Sequence, residues 1–288
     1  MSYTVPAAFE QFRENIELSG NHRETASKRK DRIVALLKDS FEILEAFPSG
    51  SIPRYTAVKG YADLDVIVVL HHGKHIKDKK PSEVLQAVRD CLGDYRTNVR
   101  KNGQAVTLYY NTWPNVDIVP VSRTVNSDSS INHYNVPDMN TETWLESRPT
   151  KHSNRLKEKN EECGPEFKRI IKMIKWWNHQ HSGLLQSFHI ETMAIKTFSG
   201  SITDYPWYVY RYFDNAATLA GSPLWYETGF ADAYLDSTTR NEVVKRLETA
   251  RDKARLAWYL TYGENNDHKR AIEKWRGIFG DKFPVYGA

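Results

Sequence analysis

Residues 63–70 (DLDVIVVL) form an apolar run rich in Val, Ile and Leu, which predicts a buried strand. Residues 105–121 (AVTLYYNTWPNVDIVPV) read as two short strands around a turn at 111–115 that contains Pro114. Between these segments, Val84, Leu85, Val88 and Leu92 fall on one side of a helix over residues 81–92. Upstream, Ile33, Leu36, Leu37, Phe41 and Leu44 recur at three and four residues, predicting a long amphipathic helix over residues 21–46. The stretch 122–150 is polar: 126–132 reads as loop, and Pro137 and Thr141 mark a turn before a short helix. Beyond Lys151 the periodicity is almost wholly helical. Helices are expected over 166–179, from Ser187 onward, over 207–219, over 239–259 and over 268–279. The pattern predicts an α+β protein with a mixed α/β lobe over residues 1–150 and a mainly helical lobe over residues 151–288.

Composition narrows the class without deciding it. At 288 residues and 40% hydrophobic, the chain can bury a large core. No stretch approaches the ~20 apolar residues of a membrane span, and the N-terminus lacks the basic-then-apolar layout of a signal peptide. Cys91 and Cys163 stand far apart with no CxxC partner, which fits a reducing, cytoplasmic compartment and gives no structural zinc site. The net charge of +4 is too small for a protein that coats nucleic acid. His71, His72 and His75 could ligate a metal, but they sit among lysines and read better as a solvated loop.

The chemistry is carried by acids in apolar surroundings. On a strand, Asp63 and Asp65 project to one face with Ile67 and Val69 behind them, their α-carbons ~6.5 Å apart. Two such carboxylates either fray into solvent or hold a cation. Asp117 lies between Val116 and Ile118, where an unpaired acid is costly. If the two strands are neighbours, three carboxylates converge on one point, a donor set that suits Mg²⁺. Gly50-Ser51 precedes them. Gly lets backbone N–H groups approach a phosphate, and the Ser hydroxyl adds a donor. Further on, Lys168, Lys172 and Lys175 share a helix face, which serves either as a solvated surface or as a polyphosphate grip. Ser187 opens a helix as a cap or a phosphate contact. Phe188 beside it is either core or a base-stacking platform.

Gly50-Ser51, an eleven-residue gap, Asp63-Leu64-Asp65-Val66 and then Val116-Asp117-Ile118 resemble the pattern of the polymerase-beta-like nucleotidyltransferases. Within that superfamily the fit is best to the cGAS/DncV-like nucleotidyltransferases, bacterial makers of nucleotide second messengers in anti-phage defence (CBASS). The segment IIKMIKWWN is similar to the family's lysine-bearing helix, and the ending with Trp275 and Phe279-Gly280-Asp281-Lys282-Phe283-Pro284 is similar to its bacterial tails. The resemblance implies a two-lobed fold in which the helix over 21–46 braces both lobes. It implies two Mg²⁺ ions, with Mn²⁺ as a substitute, held by Asp63, Asp65 and Asp117 as catalytic and metal-binding residues. Gly50, Ser51, Lys172, Lys175, Ser187 and Phe188 would bind nucleotide. The substrates would be nucleoside triphosphates, ATP and GTP ahead of pyrimidines, and the product a cyclic di- or trinucleotide. A product-sensing effector protein and an activating partner protein would follow. The chain lacks the His/Cys cluster of the animal enzyme's DNA-sensing insertion, so DNA sensing is not expected; with no stretch long enough to span a membrane, membrane association is not expected either. The same acids also serve a linear oligonucleotide synthase or an RNA- or protein-directed transferase, and a catalytically silent nucleotide-binding scaffold is the alternative of another class.

Overall fold

The computed structural model describes residues 3–61, 63–95, 98–227 and 229–287. They fall into two compact units, one of residues 18–153 and one of residues 1–17 with 154–288.

The first unit is built on a mixed sheet. Helix α2 (Gly20–Leu37) leads into strand β1 (Ile43–Ser49), which pairs antiparallel with β2 (Leu64–Leu70). A single turn, α3 (His72–His75), and helix α4 (Pro81–Gly93) follow, then β3 (Val99–Asn102), β4 (Ala105–Leu108) and β5 (Val116–Val125). Strand β5 lies parallel to β2, and the path across the sheet is β1-β2-β5-β4-β3. Strands β6 (Ile131–Asp138) and β7 (Thr143–Ser147) extend it from the far end of β5. Alternation along β2 sorts its residues between two cores. Leu64, Val66, Val68 and Leu70 pack with Ile33 and Leu37 of α2 and Val84, Val88 and Leu92 of α4. Ile67 and Val69 face the opposite way, with Val121, Tyr134 and Val136.

Two sequence expectations are corrected in this unit. The helix expected over 21–46 ends at Leu37, and residues 43–49 are a strand. A helix can bury Phe41 and Leu44 on one stripe, but pairing with β2 runs through six register positions and gives this backbone a ladder partner, and it leaves Leu44 exposed. The turn and short helix expected near Pro137 is instead the β6–β7 hairpin, whose register pairs Pro137 with Trp144.

The second unit is helical. It comprises α1 (Val5–Ile16), α5 (Pro149–Cys163, its first residues in the other unit), α6 (Glu166–Gln180), α7 (Ser187–Thr197) and α8 (Tyr205–Ala220). A two-stranded hairpin, β8 (Trp225–Tyr226) and β9 (Gly229–Phe230), precedes α9 (Ser237–Tyr259) and α10 (His268–Phe279). Helix α1 has no counterpart in the sequence reading, although Val5, Phe9, Phe12 and Ile16 mark a buried face at helical spacing and Thr4 caps it. The rings of Phe9 and Phe12 pack edge-on or tilted against Phe279 and Phe283, with centroids within 6.2 Å, joining the first helix to the last elements.

Candidate active site

The acids of the first unit share one row across the sheet. Register places Ser49 of β1 opposite Asp65 of β2, Asp65 opposite Asp117 of β5, and Asp117 opposite Thr107 of β4. Directly opposed residues point to the same face, so four polar side chains stand side by side about 4.8 Å apart. They emerge on the face of Ile67 and Val69, away from helices α2 and α4, which leaves the row uncovered by those helices.

The electrostatics are those of a site short of positive charge. Burial raises the Asp65 carboxyl to about 6, and the neighbouring Asp117 and Asp63 push it the same way while Arg54 opposes them. Burial also raises Asp117, against a hydrogen bond that Thr107 Oγ1 donates to its Oδ1 at 2.5 Å. Asp63, exposed just ahead of β2, is raised by desolvation and held back by side-chain and backbone hydrogen bonds from Asn115. Asp65 feels both of the other acids and Asp117 feels Asp63, and a cation among them would relieve this repulsion and the burial of all three. Among the described residues no three acidic, imidazole or thiolate groups are drawn tightly enough around one point to hold an ion as they stand. The strand neighbours are therefore as the sequence reading expects, while full convergence is not present. The donors still fit a divalent ion, because hard oxygens with raised affinity for positive charge are what such an ion requires.

Gly50 closes the row from above. Its backbone is in the left-handed region at φ 74°, and a Cβ built there would lie 1.7 Å from Asp65 Oδ2. Only glycine lets the loop rest on this carboxylate. Ser51 follows in the same turn, its carbonyl accepting from Thr56 N at 3.0 Å. Thr107, Asn115, Arg54 and Ser49 escaped the sequence reading. A lone Thr on a short strand carries no signal until its register with Asp117 is known, and Asn115 reads as an ordinary turn residue.

The remaining candidates lie on the helical unit. Lys172 and Lys175 do not form a solvated face: they are 6% and 2% exposed. Lys172 pairs with Glu17, and Lys175 Nζ lies 2.7 Å from Glu191 Oε1, a carboxylate buried completely. Lys168, at the outer end of the same row, is half-buried. Ser187 is exposed at the first turn of α7, where the cap position belongs to Gln186. Phe188 is exposed too, its ring 5.6 Å from Tyr226 on the β8–β9 hairpin, so it is not core.

A family model described as the Second Messenger Oligonucleotide or Dinucleotide Synthetase domain matches residues 3–160, more than half of the chain. The chain belongs to that family. The matched segment contains Gly50, Ser51 and all three acids; Lys172, Lys175, Ser187 and Phe188 lie beyond it. A cyclic AMP-AMP-AMP synthase of Acinetobacter sp. is 26% identical over 261 residues, 84% of this chain and 73% of the relative. Among solved structures, CdnC of E. coli MS115-1 in complex with HORMA-deltaN superposes with a TM-score of 0.77 at 17% identity, covering 96% of this chain and 97% of that one. The same protein with ATP gives 0.75 at 18% identity, over 96% and 98%. The synthetase fold is thus the polymerase-beta-like fold of the cGAS/DncV-like nucleotidyltransferases, and the protein is a nucleotidyltransferase of the cyclic-oligonucleotide-synthase family. No helix among its described residues is long and apolar enough to cross a membrane.

Proposed function

We propose that this synthetase joins nucleoside triphosphates through phosphodiester bonds and closes them into a cyclic di- or trinucleotide, a second messenger of bacterial anti-phage defence made in the cytoplasm. The observation that carries the reading is the in-register pair Asp65–Asp117 with Gly50 seated on the Asp65 carboxylate. Asp63, Asp65 and Asp117 would hold two Mg²⁺ ions, or Mn²⁺ in their place. When bound, such ions acidify an attacking ribose hydroxyl and neutralise charge on the transferring phosphate. The backbone amides at Gly50 and the Ser51 hydroxyl donate to the phosphates of the donor nucleotide. Thr107 fixes the orientation of Asp117, which receives the proton of the attacking hydroxyl. Lys172, Lys175 and Ser187 grip the triphosphate, and Phe188 stacks on a base. ATP and GTP are the favoured substrates, in line with the ATP complex of the E. coli relative. The HORMA complex of that relative supports an activating partner here as well, with a separate effector protein sensing the product.

The test incubates the purified protein with radiolabelled ATP, GTP, CTP and UTP, singly and mixed, with Mg²⁺. A phosphatase-resistant product that disappears in Asp63→Ala/Asp65→Ala is the expected result. A phosphatase-sensitive ladder would make the protein a linear synthase, and undiminished product from the double variant would remove the acids from the mechanism.

A further inference from the structure

Outside the proposed active site, the helical unit carries a cavity of ≈190 Å³ walled by the ends of α6 and α10 and one side of α9. Its apolar lining is Trp177, Ala250 and Ile278, all three buried. Its rim is basic. Lys245, Arg246 and Lys253 line it against a single acid, Glu242. That acid is already engaged, accepting from Arg246 Nε at 2.7 Å, while Arg246 also donates to the His181 carbonyl. Asp252, close by on α9, is held by Arg251 at 3.0 Å and does not line the cavity. Lys245 and Lys253 are exposed and have no ion-pair partner among the described residues. The two lysines stand on one row of α9, their α-carbons eight residues and so about 12 Å apart along the helix axis, and both line the hollow.

Gly277 adds no side chain to the lining of the hollow. It lies inside the last turn of α10 and lines the cavity, yet a Cβ built on it meets nothing within 4 Å. Its backbone does not require glycine, and glycine there weakens the helix. Any larger side chain would fit the backbone and intrude on the hollow.

Size and charge together choose the occupant. Pockets that enclose small organic ligands run to roughly 300–1,000 Å³, so this one is sized for a single side chain, as are the anchor pockets of protein interfaces. On an extended peptide, residues i, i+2 and i+4 share a face, and i and i+4 are about 13 Å apart. We propose that the cavity is a docking site for an extended acidic segment of a partner protein. The segment seats one apolar side chain on Trp177 and Ile278 and places carboxylates two residues to either side on Lys245 and Lys253. The site is independent of the nucleotide-joining residues and stands whatever product the enzyme makes.

The experiment pans a phage library of random nine-residue peptides on the full-length protein, with counter-selection on Lys245→Glu/Lys253→Glu. Enriched peptides are then measured by fluorescence polarisation against wild type, the charge-reversal variant and Gly277→Leu. Circular dichroism and thermal melts confirm that both variants fold. The expected result is an acidic-x-apolar-x-acidic consensus whose affinity falls at least tenfold in both variants, since rim charges and a filled anchor pocket each remove about 1.4 kcal/mol or more. Phenyl phosphate, a small anion with an aromatic body, is expected not to compete below millimolar concentration. No enrichment over the charge-reversed protein, a consensus without flanking acids, or equal binding to folded Gly277→Leu overturns the proposal. Competition by micromolar phenyl phosphate also overturns it, because the cavity would then be a small-molecule site.

Discussion

At the scale of single residues, Gly50 has the least freedom. A methyl group there meets Asp65 Oδ2 at 1.7 Å on a backbone already in the left-handed region, so the loop must lift off the carboxylate row. Gly50→Ala is expected to cut product formation by roughly 100-fold, the cost of misplacing a reacting group by about an ångström. An unchanged initial rate would detach the loop from the chemistry. His189 offers a second single-residue test, in stability. Gln186 N–H donates to Tyr234 Oη at 2.9 Å, and the same hydroxyl shares a hydrogen bond with His189 Nδ1 at 3.0 Å. Nε2 is left buried with no hydrogen-bond partner, and the ring is fully enclosed. Burial lowers its pKa to about 4 from an ordinary value near 6.5, with Asp232 opposing and Arg240 reinforcing. Between those values the unfolded chain binds a proton that the folded protein refuses. Stability from this group is therefore full above pH 6.5 and is lost as pH falls toward 4, by roughly 3 kcal/mol in total. Asp65 pulls the other way over pH 4–6, because its folded carboxyl is the weaker acid. The comparison must be with His189→Gln: urea unfolding of wild type is expected to gain on the variant as pH rises from 4.5 to 6.5. Parallel pH curves would refute the assignment.

Elements explain what could and could not be read from the chain. The alternation of residues 64–70 and the spacing of Asp63, Asp65 and Asp117 were legible because a buried strand and its acids are local patterns. The register that aligns Ser49, Asp65, Asp117 and Thr107 was not, since it depends on which strands become neighbours. Residues 43–46, expected as the end of a helix, misled for the same reason. Leu44 continues the helical spacing, but a strand edge on β2 decides the outcome. Helix α6 shows a subtler limit. Its lysine row is visible in sequence, whereas the buried acid facing Lys175 comes from the adjoining helix α7. That pair separates two roles. Lys175→Met breaks this buried ion pair and is expected to cost about 3–5 kcal/mol, while Lys175→Met/Glu191→Met should recover most of it. Chemical denaturation reads the stability and labelled nucleotide turnover reads the function. If Lys175 grips the triphosphate, the double variant is stable and inactive. If turnover returns with stability, its role is the ion pair alone.

At the scale of the whole molecule, the chain starts in the helical unit, leaves it at residue 17 for the sheet unit, and returns at residue 154. The helical unit is thus assembled from two segments separated by 136 residues. The cohesion between them is aromatic: Phe9 and Phe12 of α1 against Trp275, Phe279 and Phe283, all fully enclosed. Asn15 adds a hydrogen bond to the Lys282 carbonyl at 2.8 Å, and Glu17 pairs with Lys172. Loop-closure entropy grows only slowly with the length of the intervening segment, so a modest aromatic core suffices to hold the segments together. Truncating Phe12 removes ring contacts on both Phe279 and Phe283 and is expected to cost about 3–5 kcal/mol. The loss belongs to one unit. In Phe12→Ala, hydrogen exchange should quicken in α6 and α10, whereas the amides of β2 and β5 keep their protection because their bonds and cores lie wholly within residues 18–153. Uniform quickening throughout the chain would mean that the two units unfold as one, and that the first helix stabilises the sheet unit as well as the unit it packs in.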